Sequence, residues 1–428
     1  MAVNGRFSRF ANKGTYTYNP DFLLFKKSES RGGLTLDKEF GNLALKAQGF
    51  VDFIKTEYDS PDSTTNPTEV KYTKRGKQWE TGGSLQGSMP IGDYNYGTLG
   101  LEFKRNILRS KYDYATSDRE RTRGGVQDVY SVYAQDEITF LDDMVIITPG
   151  ARFDYWRVHD GYSKDTDIGP DTDHYESSAH PNIAPRIAGR VNLFNNTFSI
   201  RTGWGQAFRV ASLNKLYGDF IWGSTKYKSN RNLDPEKSQT YELGFDVYLD
   251  KFEFSCTGYK TWAEDYITRV DKPKQGTFSI KQWENVNDVE IFGFEFNTEY
   301  LPNERWKLFL NYVYTDPEMK SGEYDGEKVT GIPLNKFSYG AVFTDPEYFT
   351  ARIAGRHIGK IWYDNANTVS YGEYDVFDFR ISRKFDFDEL IELEPYFEVN
   401  NIFNVEQRET KYSEGPGRSF TVGLKCTF

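Results

Sequence analysis

Val145-Ile-Ile-Thr-Pro-Gly-Ala-Arg-Phe-Asp-Tyr155 carries apolar or aromatic residues at every second position. Successive side chains of a β-strand point to opposite faces. Val145, Ile147, Pro149, Ala151, Phe153 and Tyr155 therefore share one apolar face, while Thr148, Gly150, Arg152 and Asp154 lie with Ile146 on the other. The period of two returns from Ile183 to Leu193, where Ile183, Pro185, Ile187, Val191 and Leu193 alternate with Arg186 and Arg190. It appears again at Tyr241, Leu243, Phe245, Val247 and Leu249, at Phe292, Phe294 and Phe296, and at Phe420, Val422, Leu424 and Cys426. The opposite faces carry Glu242, Asp246, Glu295, Asn297 and Lys425 in place of a second apolar set. A strand that is greasy on one side and ionic on the other fits a wall between hydrocarbon and water better than the middle of a soluble sheet.

Composition points the same way. Aromatic residues make up 17% of the 428 residues against 38% for all hydrophobic types, so rings weigh heavily over aliphatic side chains. Mean hydropathy is −0.69, and no run approaches the roughly 18 apolar residues of a membrane helix. An α-helical membrane protein is excluded, whereas a membrane barrel is not, because its alternating strands average out as hydrophilic. The 53 basic and 63 acidic side chains leave a formal charge of −10, which argues against nucleic acid as a partner. Cys256 and Cys426 are far apart and outside any metal-ligand spacing, so neither a disulfide scaffold nor a zinc site is implied. The first dozen residues hold Arg6 and Arg9 but no apolar core of a signal peptide.

Connections between the alternating segments are short and long by turns. Short ones fall near residues 40–42, 91–94, 141–143, 194–196, 250–251, 302–304, 346–347 and 386–390. Long polar ones fall near 58–67, 111–123, 159–179, 210–237, 269–280, 320–330, 364–372 and 407–417. Tight turns on one side and extended loops on the other characterise transmembrane barrels. The sequence therefore predicts an all-β, transmembrane antiparallel up-and-down barrel of about 17–18 strands over residues 14–428, preceded by a tail or remnant over 1–13. Closure follows from the need to pair every backbone N–H and C=O in hydrocarbon. Many strands are longer than the roughly 9–11 residues that cross a bilayer, so the wall should project beyond it on the loop side. Arg152, Asp154, Arg186, Arg190, Arg201, Asp246 and Arg380 would face the lumen, with charges of both signs able to pair. Tyr130, Tyr155, Trp306 and Trp362 lie near strand ends, where such rings anchor a barrel at the headgroup boundary.

Several segments resemble the TonB-dependent outer-membrane receptors that import ferric siderophores, haem or cobalamin. Trp204-Gly-Gln-Ala-Phe-Arg-Val-Ala-Ser-Leu-Asn-Lys-Leu-Tyr217 is similar to that family's Gly-Phe-Arg-Ala-Pro box and the Leu-Tyr motif after it, with Phe208 and Arg209 at the matching positions and Val210-Ala211 replacing Ala-Pro. Asn230-Arg-Asn-Leu-Asp-Pro-Glu236 resembles the Asn-Pro-x-Leu-x-Pro-Glu box, matching at Asn230, Leu233, Pro235 and Glu236, with Arg231 where proline is usual. Tyr133-Ala-Gln-Asp-Glu137 with Thr148-Pro-Gly-Ala-Arg-Phe-Asp154 looks like a barrel hairpin of this group, Val399-Asn-Asn-Ile-Phe-Asn404 resembles its penultimate-strand motif, and Phe428 matches the aromatic end by which such barrels are recognised for assembly. The matches keep their order over roughly residues 100–428.

The resemblance implies a barrel domain in the cell outer membrane, surrounded by outer-membrane lipid, acting as a monomer with the TonB energy-transducing complex and taking a ferric chelate or cobalamin-type ligand. Family members carry a plug in barrels of about 22 strands. Nothing before Tyr16 is long enough for a plug and about four strands are absent, so a truncated or split receptor is expected, or one whose upstream part is encoded separately. A plugless passive pore, or a surface-binding barrel without transport, are the alternatives. Ligand contacts are expected on the long loop carrying Tyr217, Trp222, Lys226, Tyr227 and Arg231, because rings stack on flat ligands and cations attract anionic chelates. A haem receptor would be expected to place a histidine between the two boxes, and residues 210–229 contain none. Carboxylates at Asp165, Asp167, Asp171, Asp173 and Glu176 could gather oxygens around Ca²⁺, but the spacing lacks an EF-hand glycine and a following bidentate Glu, so a solvated acidic loop is expected and no metal is assigned. No G-x-S-x-G elbow, phosphate loop, H-E-x-x-H or dinucleotide fingerprint occurs, so neither catalytic residues nor cofactors are expected.

Overall fold

The structure, a computed structural model, describes residues 2–15, 24–61, 70–166, 172–222, 225–388, 391–410 and 413–427. Along its first half run β1 (Ala2–Thr15), β2 (Leu24–Phe40), β3 (Leu43–Pro61), β4 (Val70–Ile91), β5 (Asn95–Tyr114), β6 (Glu120–Phe140), β7 (Val145–Asp165), β8 (Thr172–Tyr175), β9 (Ser178–Leu193) and β10 (Phe198–Arg209). A single turn of helix, α1 (Leu213–Tyr217), and the short strands β11 (Phe220–Trp222) and β12 (Thr225–Lys228) follow. The chain continues with β13 (Glu236–Leu249), β14 (Phe252–Gln275), β15 (Phe278–Asn303), β16 (Trp306–Met319), β17 (Asn335–Asp345), β18 (Phe349–Trp362) and β19 (Ser370–Ser382). It ends with β20 (Phe385–Asp388), β21 (Ile391–Asn400), β22 (Arg408–Thr410), β23 (Ser413–Glu414) and β24 (Ser419–Thr427).

One sheet holds 22 strands. Setting aside the short β8, β11, β12 and β20 leaves eighteen wall strands, each antiparallel to the next along the chain, in keeping with the expected count. Residues 2–13, set aside from sequence as a tail, form most of β1 and pair along β2. Among the eighteen wall strands β1 and β24 are the two ends, and among the described residues no pairing joins them. The expected long loop at 269–280 is a correction of another kind. It is the tip of a strand pair, since β14 runs for 24 residues and β15 for 26, closed at Gly276, whose φ of +59° suits glycine. Strands more than twice the length that crosses a bilayer extend the wall well above it.

Short turns collect on the opposite side. Leu141, Asp142 and Asp143 all have left-handed backbone, as do Phe194, Asn195 and Asn196 at the equivalent turn. Asp and Asn tolerate that region better than other residues with a Cβ, because their short polar side chains bond locally.

Burial is inverted relative to a water-soluble fold. Leu243, Ile183, Leu99 and Leu424 are each at least 59% exposed, while Ser199 is fully buried and Asp246 and Asp154 are buried too. On the outer face a ladder of rings crosses five strands, from Phe254 to Phe296 (6.2 Å), Tyr312 (5.5 Å), Phe337 (4.3 Å) and the His357 imidazole (5.8 Å). Facing aromatic pairs of this kind are what steady a sheet whose face has no core to pack against. Inside, Arg152 donates to Asp154 (2.8 Å), Glu102 (2.9 Å) and the Ser131 hydroxyl (2.7 Å). Arg201 likewise donates to Asp246 (3.1 Å), Thr257 (2.6 Å) and Ser255 (2.9 Å). These lumenal charges thus pair with one another, as their mixed signs allow.

Candidate functional site

Between β10 and β13 the chain leaves the wall for residues 210–235 and folds into the open end of the lumen. Leu213, Leu216 and Tyr217 lie three and four residues apart, so α1 buries all three on one face. They join Leu108, Val158, Val210, Ala211, Leu233 and Ile267 in one apolar cluster, with Trp156, Phe208 and Trp283 packed at its margin. The wall is shaped to receive it. A Cβ at Gly125 would come within 2.8 Å of the Tyr217 ring, and one at Gly161 within 2.6 Å. Only glycine lets the ring lie flat there. Tyr217 also stacks on Tyr175 at 5.2 Å.

Polar contacts fasten the same excursion. Gln127 Nε2 donates to the Ala211 carbonyl at 3.3 Å, and Arg121 and Arg123 both donate to the Asp219 carbonyl, Arg123 at 2.6 Å. At its two ends Arg209 pairs with Glu236, and Glu236 accepts the Ile267 N–H at 2.9 Å. Asn230 donates to the Trp283 carbonyl at 3.0 Å, while Asn285 bridges the Asp234 backbone at 2.8 and 2.9 Å. Pro235 and Leu233 are buried. The residues of both sequence boxes are therefore brackets that hold one inward-folded segment.

Cations and rings line what remains open. Lys226 lies 4.5 Å from the Phe278 ring centre, and Arg231 lies 5.4 Å from that of Tyr175. Arg269 lies 4.9 Å from the ring centre of Tyr227 and 4.4 Å from that of Trp283, and Lys215 lies 4.8 Å from Trp283 as well. Near the outer ends of β4, β5 and β6, Lys74, Arg121 and Arg123 surround the Tyr112 ring at 5.7, 4.7 and 5.5 Å. This cluster sits beyond the row Phe53, Trp79 and Ile107, where the apolar outer band ends. Burial, aided by Arg123 and Arg121, pulls the Lys74 ammonium down to about 8. Burial likewise lowers Arg123 and raises the Tyr112 phenol. Neither Arg123 Nε nor the Tyr112 hydroxyl has a hydrogen-bond partner among the described residues, and buried polar groups are rarely left so.

Of the residues expected to touch ligand, Lys226, Tyr227 and Arg231 reach this half-open surface, whereas Tyr217 is 6% exposed and docks the excursion. Trp222 falls in β11, with its side chain outside those described, and Phe428 lies outside the described residues. Sequence inspection missed Lys74, Arg121, Arg123, Arg269 and Trp283. The Arg121-x-Arg123 spacing puts both guanidinium groups on one strand face, which was a usable signal. In the acidic loop Asp165 already binds Arg119 through two hydrogen bonds of 2.7 and 2.6 Å. Asp167 and Asp171 lie outside the described residues, and among the described residues no cluster of metal-binding side chains occurs.

Known proteins with similar chains include receptors and transporters. An iron-regulated outer membrane virulence protein of Vibrio cholerae serotype O1 is 25% identical over 58% of this chain and 36% of its own length. A hemin receptor of Yersinia enterocolitica is 30% identical over 54% of this chain and 33% of its own length. The chain thus spans about a third of the length of the curated relatives it matches. Among solved structures, the copper transporter OprC superposes with a TM-score of 0.78 at 17% identity, over 99% of this chain and 71% of that one. The ferric citrate transporter FecA, unliganded, gives 0.73 at 15% identity, over 99% and 67%. Both likenesses concern the fold. A family model described as TonB dependent receptor-like, beta-barrel, matches residues 2–402. With that match spanning nearly the whole wall, the chain belongs to the β-barrel family of TonB-dependent receptors of the outer membrane.

Proposed function

We propose that this barrel binds an anionic ferric chelate at its outer mouth and passes it inward in partnership with the TonB complex, as a monomer set in outer-membrane lipid. A cobalamin-type ligand is the second cargo class. The observation that carries the proposal is the density of cation and ring pairs around residues 210–235 in a chain whose formal charge is −10. A desolvated cation over an aromatic face is a ready partner for a flat anion. Beside it, the buried cations around Tyr112 add positive charge to the mouth. Lys226, Tyr227 and Arg231 are the contacts proposed, with Trp222 beside them on the same segment. Phe208, Arg209, Asn230, Leu233, Pro235 and Glu236 hold that surface in place, and Phe428 serves assembly.

The test is growth of a strain lacking the locus, supplied in turn with ferric citrate, a ferric catecholate, hemin or cyanocobalamin, with and without the gene and with and without a working TonB. Restoration by one ferric chelate that requires TonB supports the proposal. Restoration independent of TonB supports a passive pore, and restoration by none of them overturns it.

A further inference from the structure

Phe53, Trp79 and Ile107 face each other across β3, β4 and β5 on the outer wall, with the Phe53 and Trp79 rings 5.2 Å apart. Two residues further toward the long loops, on the same face, the register places Lys55 opposite Lys77 and Lys77 opposite Arg109. Like charges directly across a sheet are destabilising. All three side chains are exposed, and no carboxylate among the described residues forms an ion pair with any of them.

Neighbouring rows are neutralised. Beyond this one, Arg75 pairs with Asp113 and with Glu57 (3.5 Å), and Lys111 pairs with Asp113 at 2.9 Å. Before it, Arg105 grips Asp128 through two bonds of 2.6 and 2.7 Å. Across the barrel Lys260, next to Phe292 at the margin of the apolar band, pairs with Glu290 at 3.0 Å. One row of three cations is thus left without protein counter-charge where the wall emerges from hydrocarbon. Strands lie about 4.8 Å apart, so the row spans about 10 Å.

We infer that Lys55, Lys77 and Arg109 bind the phosphate groups of a phosphorylated lipid of the outer leaflet, with its acyl chains lying along Phe53, Trp79 and Ile107. Two properties of the row select a lipid over a soluble anion. The cations continue directly from the lipid-facing band, and phosphate oxygens accept hydrogen bonds from ammonium and guanidinium groups while cancelling their mutual repulsion. The inference stands apart from the proposed cargo, because these side chains point away from the lumen.

Native mass spectrometry of the full chain in mild detergent tests it, with bisphosphorylated lipid A, the same lipid with its phosphates removed, and inorganic phosphate as probes. The unaltered chain is expected to hold the phosphorylated lipid at least tenfold more tightly than the dephosphorylated one. A triple variant, Lys55→Gln with Lys77→Gln and Arg109→Gln, should lose that preference, while Lys77→Arg should keep it. Unchanged heat-dependent gel mobility checks that each variant is folded. Equal preference in the native chain and the triple variant would overturn the inference, as would full displacement of the lipid by millimolar inorganic phosphate.

Discussion

Replacing Leu243 by arginine separates a lipid-facing wall from a water-facing one. Leu243 is 64% exposed, and its cross-strand partners are only Thr202 and Gly258, so little packing is lost with the leucine. In water such a surface change shifts stability by no more than about 0.5 kcal/mol. In a bilayer an arginine on the lipid face of a barrel costs about 2–4 kcal/mol at the midplane and about 0–1 kcal/mol near the interface. Leu243 stands two residues inward from Tyr241, whose ring meets Trp262 at the boundary (5.7 Å). On a strand tilted by about 40°, that is about 5 Å of depth. A penalty of about 2 kcal/mol follows, or about a thirtyfold loss in the folding equilibrium. Urea titration of the chain refolded into phospholipid vesicles, followed by tryptophan fluorescence, measures it. Asn232→Arg on the exposed excursion serves as the control and should change nothing. A Leu243→Arg effect below about 0.5 kcal/mol would refute the assignment of this face to lipid.

Glu236→Ala removes the partner of Arg209 and leaves the Ile267 N–H bare, a cost of about 1–3 kcal/mol confined to residues 210–235. Protease cleavage of that segment should rise at least tenfold with barrel mobility on gels unchanged, and less in Glu236→Gln; equal rates in all three proteins count against the bracket. Gly161→Ala drives a methyl group to 2.6 Å from the Tyr217 ring and should expose the segment similarly, whereas the double change with Tyr217→Ala should be milder than Gly161→Ala alone. Lys74 has a folded value near 8, below its ordinary 10.5, so the protonated form is the one disfavoured by folding. The unfolded chain then binds more protons between those values, and the stability of the folded wall should rise as pH goes from 8 to 10.5. Urea midpoints of the refolded chain across that window should rise more in the native chain than in Lys74→Met. Arg231→Gln, which removes an exposed cation over Tyr175, should weaken binding of an anionic ferric chelate several-fold and leave cyanocobalamin unaffected, as read by quenching of intrinsic fluorescence.

Strand parity was legible because lipid imposes it on every wall strand alike. Phe292, Phe294 and Phe296 could be assigned a face from spacing alone, and so could Arg152 and Arg201. Loop lengths were less legible. Residues 269–280 look like a loop because strands above the membrane lose the apolar alternation once both faces meet water. Residues 2–13 show no sustained alternation, with Phe7 and Phe10 three apart, and only their register against β2 places them in the wall. At the mouth, the two boxes could be found but not their relation. Arg209 meets Glu236 because β10 and β13 are adjacent, a fact of topology that no local spacing reports. The cation cluster around Tyr112 joins β4, β5 and β6 for the same reason.

A division of labour follows for the mouth. The most recognisable residues, from Phe208 to Glu236, have their side chains committed inward: Leu233 and Pro235 are buried, Arg209 and Glu236 satisfy each other, and Asn230 bonds backbone. Side chains so engaged cannot also distinguish one ligand from another without breaking the frame. The contacts proposed for a ligand, Lys226, Tyr227 and Arg231, and their neighbours Arg269 and Trp283 come from three separate stretches, each cation lying against an aromatic ring. Lys226 and Arg231 can change with little effect on docking, since each adds a surface contact and not a bracket.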